Sequence, residues 1–206
     1  MVLVLTSITC ISGAILGAVN GITTEPIAKA KQAKQENAIK TVAPEFNNNP
    51  VAEAKKVTLE DGTEATIFPA KENGELVGAA VQSVSKNGFG GIVTIMVGFE
   101  KDGTIKEYTV LSHSETPGLG SKMPVWFHEK GNILGKNPGT NNLTVSKDGG
   151  EIDAITAATI SSRAFLGAVQ NAYKAFCQAE NTNNQVSNDT AEEVQTESAE
   201  TNEEEN

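Results

Sequence analysis

Four hydroxyl-bearing side chains lie close together near the carboxyl-terminal end of this chain. The stretch "TAATISSR", residues 156–163, contains no histidine, cysteine or carboxylate that could activate a nucleophile, and its hydroxyls belong to Thr156, Thr159, Ser161 and Ser162. Helical spacing follows, so Thr156 is a candidate N-cap and Thr159 a residue of the first turn. A helix N-terminus favours phosphate through its unpaired backbone N–H groups. The alternative is plain capping, for which Ser and Thr are equally suited, and the residue types alone leave both interpretations open.

A glycine- and proline-rich loop is the second candidate site. The stretch "SETPGLG", residues 114–120, places two glycines and a proline within four positions. Such a backbone is fixed and exposes N–H groups, so it can lie against a planar ligand, with Glu115 and Thr116 each offering a polar contact. A structural turn is the alternative, because a glycine-rich loop alone is a weak indicator of binding.

Other kinds of site are not indicated. His113 and His128 are separated by fifteen positions, and a closed zinc site needs four ligands, commonly with short His or Cys spacings. The "GFGG" at 88–91 lacks the glycine spacing of a dinucleotide-binding motif. No metal is therefore expected, and no nucleotide-binding fingerprint is present in the sequence.

The amino-terminal part of the sequence predicts a membrane anchor. Residues 1–24 contain no charged side chain, and about 20 mostly apolar residues are enough to span a bilayer. A cleaved signal peptide is the alternative, but its basic start and short apolar core are not seen. Residues 25–50 are predicted to form a stalk and linker, with Thr24 as a candidate N-cap and "APEFNNNP" ending the helix.

The acidic charge is concentrated at the carboxyl-terminal end. The formal net charge is −10, yet residues 181–206 alone hold eight Asp or Glu and no Lys or Arg. The other 180 residues carry 18 acidic and 16 basic side chains. Because the 181–206 segment has few apolar residues, it is predicted to be a disordered tail. No basic face indicates nucleic acid as a partner.

The middle of the chain predicts an antiparallel sheet followed by a helix. Residues 57–112 contain runs rich in Val, Ile and Thr, and these runs are separated by Asp61-Gly62, Asn73-Gly74 and Asp102-Gly103. Such pairs allow the positive φ angles of tight hairpin turns. Apolar residues then recur at helical spacing, at Phe165, Val169, Ala172 and Phe176. Residues 51–180 are therefore predicted to form an α+β domain, an antiparallel sheet with packed helices, preceded by one transmembrane helix.

Two separated motifs carry a resemblance to a known family. The "ETPGLG" at 115–120, followed by "TAATISSRA" at 156–164, resembles the FMN-binding domain family and, within it, the G subunit of Rnf-type electron transport complexes. The segment "LVLTSITCISGAILGAVNGITTEPIAKAK" at 3–31 is similar to the membrane anchor of that protein. The hairpin and loop "GFGGIVTIMVGFEKDGTIKEYTVLSHSETPGLG" at 88–120 also resembles it, so the similarity covers about residues 1–180.

The resemblance implies that FMN is carried as a phosphoester on Thr159, the last threonine of the family's Ser/Thr-Gly-Ala-Thr motif. In the family a separate flavin transferase makes this bond, so no base is needed beside the hydroxyl. Ala157 stands where the family usually has glycine, and a positive φ there would add about 1 kcal/mol of strain. The resemblance further implies a phosphate site formed by Thr156, Ala158 and Ser161 or Ser162, and a flavin lined by Glu115, Thr116, Gly118 and Leu119.

The function implied by the resemblance is a membrane-anchored electron carrier without turnover of its own. It would act in an Rnf-type complex that couples ferredoxin and NAD electron transfer to ion translocation. Its partners would be the other membrane subunits of the Rnf complex, the flavin transferase and membrane lipid. The family's FMN domain lies on the periplasmic side of the inner membrane, whereas Lys29, Lys31 and Lys34 behind the anchor favour the cytoplasm. The periplasmic side, which the family topology implies, is preferred for the FMN domain.

Three other interpretations stay open from the sequence. The C subunit of a sodium-pumping quinone reductase has the same two motifs, although it is typically longer in the middle. An anchored module could instead bind a phosphate-bearing ligand reversibly, without redox function. In the third interpretation the chain is a structural stalk protein whose glycine loop only packs.

Overall fold

The computed structural model describes the backbone of residues 1–200 and the side chains of residues 1–180. The chain divides into two units, Met1–Ala38 and a second unit that begins at Ile39. Helix α1, Val2–Val42, forms nearly all of the first unit and ends within the second. The predicted disordered tail, 181–206, falls outside the residues whose side chains are described and stays a prediction.

Helix α1 is long and apolar enough to cross a membrane, and it is the one such helix within the described residues. It runs without a break through the position where a second helix was expected to begin. Thr24, the candidate N-cap, donates its hydroxyl to the Asn20 carbonyl at 2.6 Å, and Pro26 lies inside the helix. The hydroxyl therefore bonds backward within the same helix rather than capping a new one.

The second unit contains a five-stranded antiparallel sheet. Its strands follow the chain order as a meander and are β1 (Lys55–Thr58), β2 (Glu64–Glu72), β3 (Glu75–Gly88), β4 (Gly91–Glu100) and β5 (Ile105–Ser112). A short helix, α2 (Met123–Trp126), and helix α3 (Thr159–Glu200) follow the sheet. The predicted α+β fold, with one amino-terminal apolar helix before the sheet, is confirmed.

Three of the hairpin turns are those predicted from the Asx-Gly pairs. Gly62 and Gly103 have φ angles of 75° and 82°, and Asn73 and Gly74 both have positive φ, at 52° and 88°. These conformations are easily reached by glycine and tolerated by asparagine. The fourth turn, between β3 and β4 at Phe89 and Gly90, was not predicted.

Helix α3 packs on one face of the sheet and forms the main core. Its predicted apolar stripe is confirmed, because Phe165, Val169, Ala172 and Phe176 are all buried. The Phe165 ring stacks on Phe127 with centroids 4.2 Å apart and meets Tyr108 edge-on at 5.0 Å. These contacts fix the position of the first turns of α3 against the sheet and the loop that follows it.

The other face of the sheet is covered by the end of α1. Ile39, Val42 and Ala43 are buried there, and Gly98 of β4 lies directly under Val42. A Cβ atom at Gly98 would collide with the Val42 carbonyl oxygen and lie 3.1 Å from the Val42 Cβ. A backbone carbonyl cannot rotate away as a side chain can, so this close approach requires glycine.

Replacing Gly98 by alanine is therefore expected to lower the free energy of unfolding by about 1–3 kcal/mol, the usual cost of overpacking. Gly167, inside α3, is the matched control, since a Cβ there would make only an ordinary 3.9 Å contact with the Ser85 hydroxyl. Gly167→Ala is expected to stabilise by about 1 kcal/mol through helix propensity. Thermal or urea unfolding of both variants in detergent tests this, and equal stability of Gly98→Ala and the unmodified chain would contradict it.

Candidate functional site

The turn that leads into α3 has an unusual backbone conformation. Ala157 has a φ of 60°, and the Ala158 N–H donates to the Ile155 carbonyl at 2.9 Å. The Ser162 hydroxyl donates to the Ala158 carbonyl at 3.0 Å and accepts the Ile155 N–H at 2.9 Å. Ser162, fully buried, therefore holds the turn from inside, and α3 begins at Thr159.

The first residues of α3 carry backbone N–H groups that point out of the N-terminal end of the helix. In a helix that begins at Thr159, the N–H groups of Thr159, Ile160 and Ser161 have no intrahelical carbonyl to bond. Such groups, together with the helix dipole, favour an anion such as phosphate. The helix starts two residues later than the sequence suggested, so Thr156 is exposed in the preceding turn rather than at the N-cap.

Glu115, in the glycine-rich loop, connects three parts of the chain. It is only 5% exposed. One carboxylate oxygen accepts the Ser161 hydroxyl at 2.6 Å, and the other accepts the Gly90 N–H at 3.2 Å. One side chain thus joins the loop after β5, the first turn of α3 and the turn between β3 and β4.

Glycines create the space in which Glu115 is buried. A Cβ at Gly120 would lie 2.8 Å from the Glu115 Oε2 and 2.7 Å from the Ser161 Cβ. A Cβ at Gly88 would press on the Glu115 Oε1 and approach Val93 to 3.0 Å. Any larger residue at these two positions would displace the carboxylate.

These segments enclose a cavity of about 340 Å³, within the range of about 300–1,000 Å³ typical of small-molecule sites. Much of its wall is apolar, and Phe89, Leu119 and Ile160 leave 70%, 39% and 49% of their surface exposed. The lining residues are Phe89, Glu115, Thr116, Leu119, Gly120, Ala157, Ala158, Thr159, Ile160 and Ser161. An apolar wall beside a helix N-terminus suits a ligand that has planar rings and a phosphate.

The structure brings six of the nine proposed cofactor-binding residues to this cavity: Glu115, Thr116, Leu119, Ala158, Thr159 and Ser161. Thr156, Gly118 and Ser162 are not among its lining residues. Ser162 points inward, as described above. Gly118, with a φ of 78°, shapes the loop and donates its N–H to the Ser121 hydroxyl at 2.9 Å.

Four lining residues were not among the proposed cofactor-binding residues: Phe89, Gly120, Ala157 and Ile160. Gly120 belongs to the loop predicted to lie against a planar ligand and Ala157 to the predicted attachment motif, whereas Phe89 and Ile160 were given no role. For Phe89 a signal was present, since an aromatic residue surrounded by glycines in "GFGG" is unusual in a turn. The exposed Ile160 follows Thr159 directly and falls outside the buried stripe of α3. Its role depends on where the helix starts, which the sequence placed two residues too early.

One ion pair lies next to the turn that leads into α3. Arg163 donates to both carboxylate oxygens of Asp148, from Nε at 2.7 Å and from Nη2 at 2.8 Å. This hydrogen bonding holds the pKa of Asp148 below its usual value and raises the pKa of Arg163. The pair links the loop before the turn to the second turn of α3.

The two histidines are used in separate contacts. The Nδ1 of His113 accepts the Glu115 N–H at 3.2 Å. His128 bonds to Glu107 through Nε2 and stacks on Tyr108, with ring centroids 4.2 Å apart. Within the part of the chain that the structure describes, no three His, Cys, Asp or Glu side chains group as a metal site would require.

Comparisons with known proteins relate this chain to a family. The model of the FMN-binding domain family matches residues 88–174, a range that contains every residue lining the cavity. The G subunit of the ion-translocating oxidoreductase complex of Vibrio atlanticus is 33% identical over 198 residues, covering 89% of this chain and 90% of the relative. The G subunit of Vibrio cholerae is 30% identical over 82% of this chain and 86% of its own length. That of Aliivibrio fischeri is 34% identical over 73% and 77%.

The chain belongs to the family of G subunits of ion-translocating oxidoreductase complexes. Its FMN-binding domain offers what FMN requires. The unpaired N–H groups at the start of α3 suit the phosphate, and the apolar walls suit the rings. Gly120 keeps the cavity clear where a Cβ would meet Ser161.

The positive φ of Ala157 should be a source of strain. Alanine in this conformation costs about 1 kcal/mol relative to glycine, so Ala157→Gly is expected to raise the free energy of unfolding by about that amount. Ala158→Gly is the matched control, because Ala158 is buried without a positive φ, and it should destabilise. Urea unfolding of both variants provides the measurement. A loss of stability in Ala157→Gly would show that the turn is not strained.

Proposed function

We propose that this chain is a membrane-anchored flavoprotein that carries FMN as a phosphoester on Thr159 and relays electrons within an ion-translocating oxidoreductase complex. The observation that carries the proposal is the position of Thr159. It is the first residue of α3, is half-buried and is one of the residues that line the cavity. A phosphate esterified there would lie against the helix N-terminus.

The surroundings of Thr159 support attachment by a second protein rather than by this chain itself. Among the described residues, the one carboxylate that lines the cavity is Glu115, and it is bonded to Ser161 and Gly90. The described lining contains no histidine or cysteine either, so no residue there is suited to activate the threonine hydroxyl. A separate flavin transferase is therefore proposed as the maturation partner.

Each part of the cavity has a distinct task in this proposal. The first-turn N–H groups of α3 bind and orient the phosphate, and Phe89, Leu119 and Ile160 hold the rings and exclude water. Glu115 and Ser161 fix the loop against the helix. Bound FMN supplies the electron-transfer chemistry, which no side chain of the protein can provide. The ester keeps the cofactor on the protein, since reversible binding would allow its loss.

The complex and the side of the membrane are part of the same proposal. The relatives are named as G subunits of an ion-translocating oxidoreductase complex, and α1 provides an apolar span. We infer that the FMN domain lies on the extracytoplasmic side of the inner membrane and contacts the other membrane subunits. The complex would couple ferredoxin and NAD electron transfer to ion translocation. The length shared with the G-subunit relatives favours this assignment over the C subunit of a sodium-pumping quinone reductase.

The attachment site is tested by replacing Thr159 with valine, which has nearly the same shape and no hydroxyl. The full chain, produced together with a flavin transferase, is expected to gain the mass of FMN less one water after denaturation. Thr159→Val should lose this gain completely, whereas Thr156→Val, the control three residues earlier, should keep it. The measurement is the intact mass of the denatured protein.

Two results would contradict the proposal. If the chain gains no flavin mass although the transferase is shown to be active on another substrate, covalent attachment is contradicted. A reversible binder of phosphate-bearing ligands is then favoured. Retention of the flavin mass in Thr159→Val would place the ester on another hydroxyl.

A further inference from the structure

Glu115 is a buried carboxylate without a positively charged partner. It is 5% exposed, and its side chain forms no ion pair with a cationic side chain among residues 1–180. Burying an unpaired carboxylate is costly, because the charge loses its hydration and gains no opposite charge.

Two neutral donors hold this carboxylate in place. The Ser161 hydroxyl donates to Oε2 at 2.6 Å, a short distance typical of a bond to an ionised oxygen. The Gly90 N–H donates to Oε1 at 3.2 Å. Neither donor carries a charge that would cancel that of a carboxylate. The negative charge therefore remains in the cavity.

Two glycines make room for the Glu115 carboxylate. Gly88 and Gly120 lie so close that a Cβ at either position would press on one of its two oxygens. Glu115 also lines the same cavity as Thr159. The charge and the proposed attachment point thus face the same space of about 340 Å³.

We propose that the Glu115 carboxylate lowers the midpoint potential of the FMN held in this cavity. This inference rests on the proposed function. Electrons that reach the flavin ring without an equal number of protons add negative charge to it, and the fixed carboxylate repels that charge. Because the cavity walls are largely apolar, solvent and salt screen this repulsion less than at the surface. Reduction becomes less favourable, and Glu115 makes the bound cofactor a stronger electron donor.

Glu115→Gln is the central variant because it removes the charge and preserves the hydrogen bonds. The amide oxygen can accept the Gly90 N–H, while the amide nitrogen donates to the Ser161 oxygen once that hydroxyl rotates. Glu115→Met is a second neutral variant that needs no hydrogen bonds. Either one that binds FMN is sufficient for the test.

Two further variants serve as controls. Glu115→Asp keeps the charge and changes the shape. Glu129→Gln removes a carboxylate from an exposed position that does not line the cavity. In both variants the midpoint potential of the bound FMN should stay close to that in the chain without a substitution.

The measurement is a potentiometric titration of the FMN-loaded full chain in detergent, monitored by flavin absorbance. Dithionite supplies the electrons and the solvent supplies the protons. Glu115→Gln and Glu115→Met are expected to shift the midpoint potential to more positive values. An unchanged potential in a loaded neutral variant, or an equal shift in Glu115→Asp, would overturn the inference and leave the FMN attachment intact. If the chain without any substitution acquires no FMN, both proposals are overturned.

Discussion

The hydrogen bond from Ser161 to Glu115 is the contact on which the candidate site depends. It joins two residues 46 positions apart in the sequence, and the second oxygen of Glu115 adds the turn between β3 and β4 through Gly90. Without this junction, the first turn of α3 would lose its hydrogen bond to the loop after β5. A buried carboxylate holds these segments with two directional bonds, whereas apolar packing alone would allow the loop to slide.

The second constraint is the start of α3. Packing of Phe165 on Phe127 and Tyr108 fixes the helix on the sheet, and the Ser162 hydroxyl closes the turn by bonding to Ala158 and the Ile155 N–H. The turn needs a positive φ at one position, which here is occupied by alanine. The protein therefore keeps some local strain where its helix N-terminus meets the cavity, as is common at functional sites.

Much of the fold could be predicted because its signals are local. Asn73-Gly74 selects a hairpin by its own backbone preferences, and Phe165 begins a periodic stripe that any amphipathic helix would bury. The sequence could not predict that Ser161 bonds to Glu115 while Ser162 closes the turn. These roles depend on how α3 is rotated about its axis when it packs on the sheet. The role of Phe89 was missed for a related reason, because its turn becomes part of the site through contacts with Ser114 and Glu115, far away in the sequence.

Attachment of FMN to Thr159 in this cavity is tested most directly by tandem mass spectrometry of one peptide. Trypsin cleaves after Lys147 and Arg163 and releases residues 148–163, which contain all four hydroxyls of the motif. We predict that fragments including Thr159 carry the added mass of FMN less one water and that fragments ending before it do not. The added mass on Thr156, Ser161 or Ser162, or an unmodified peptide from protein exposed to an active flavin transferase, would contradict this attachment.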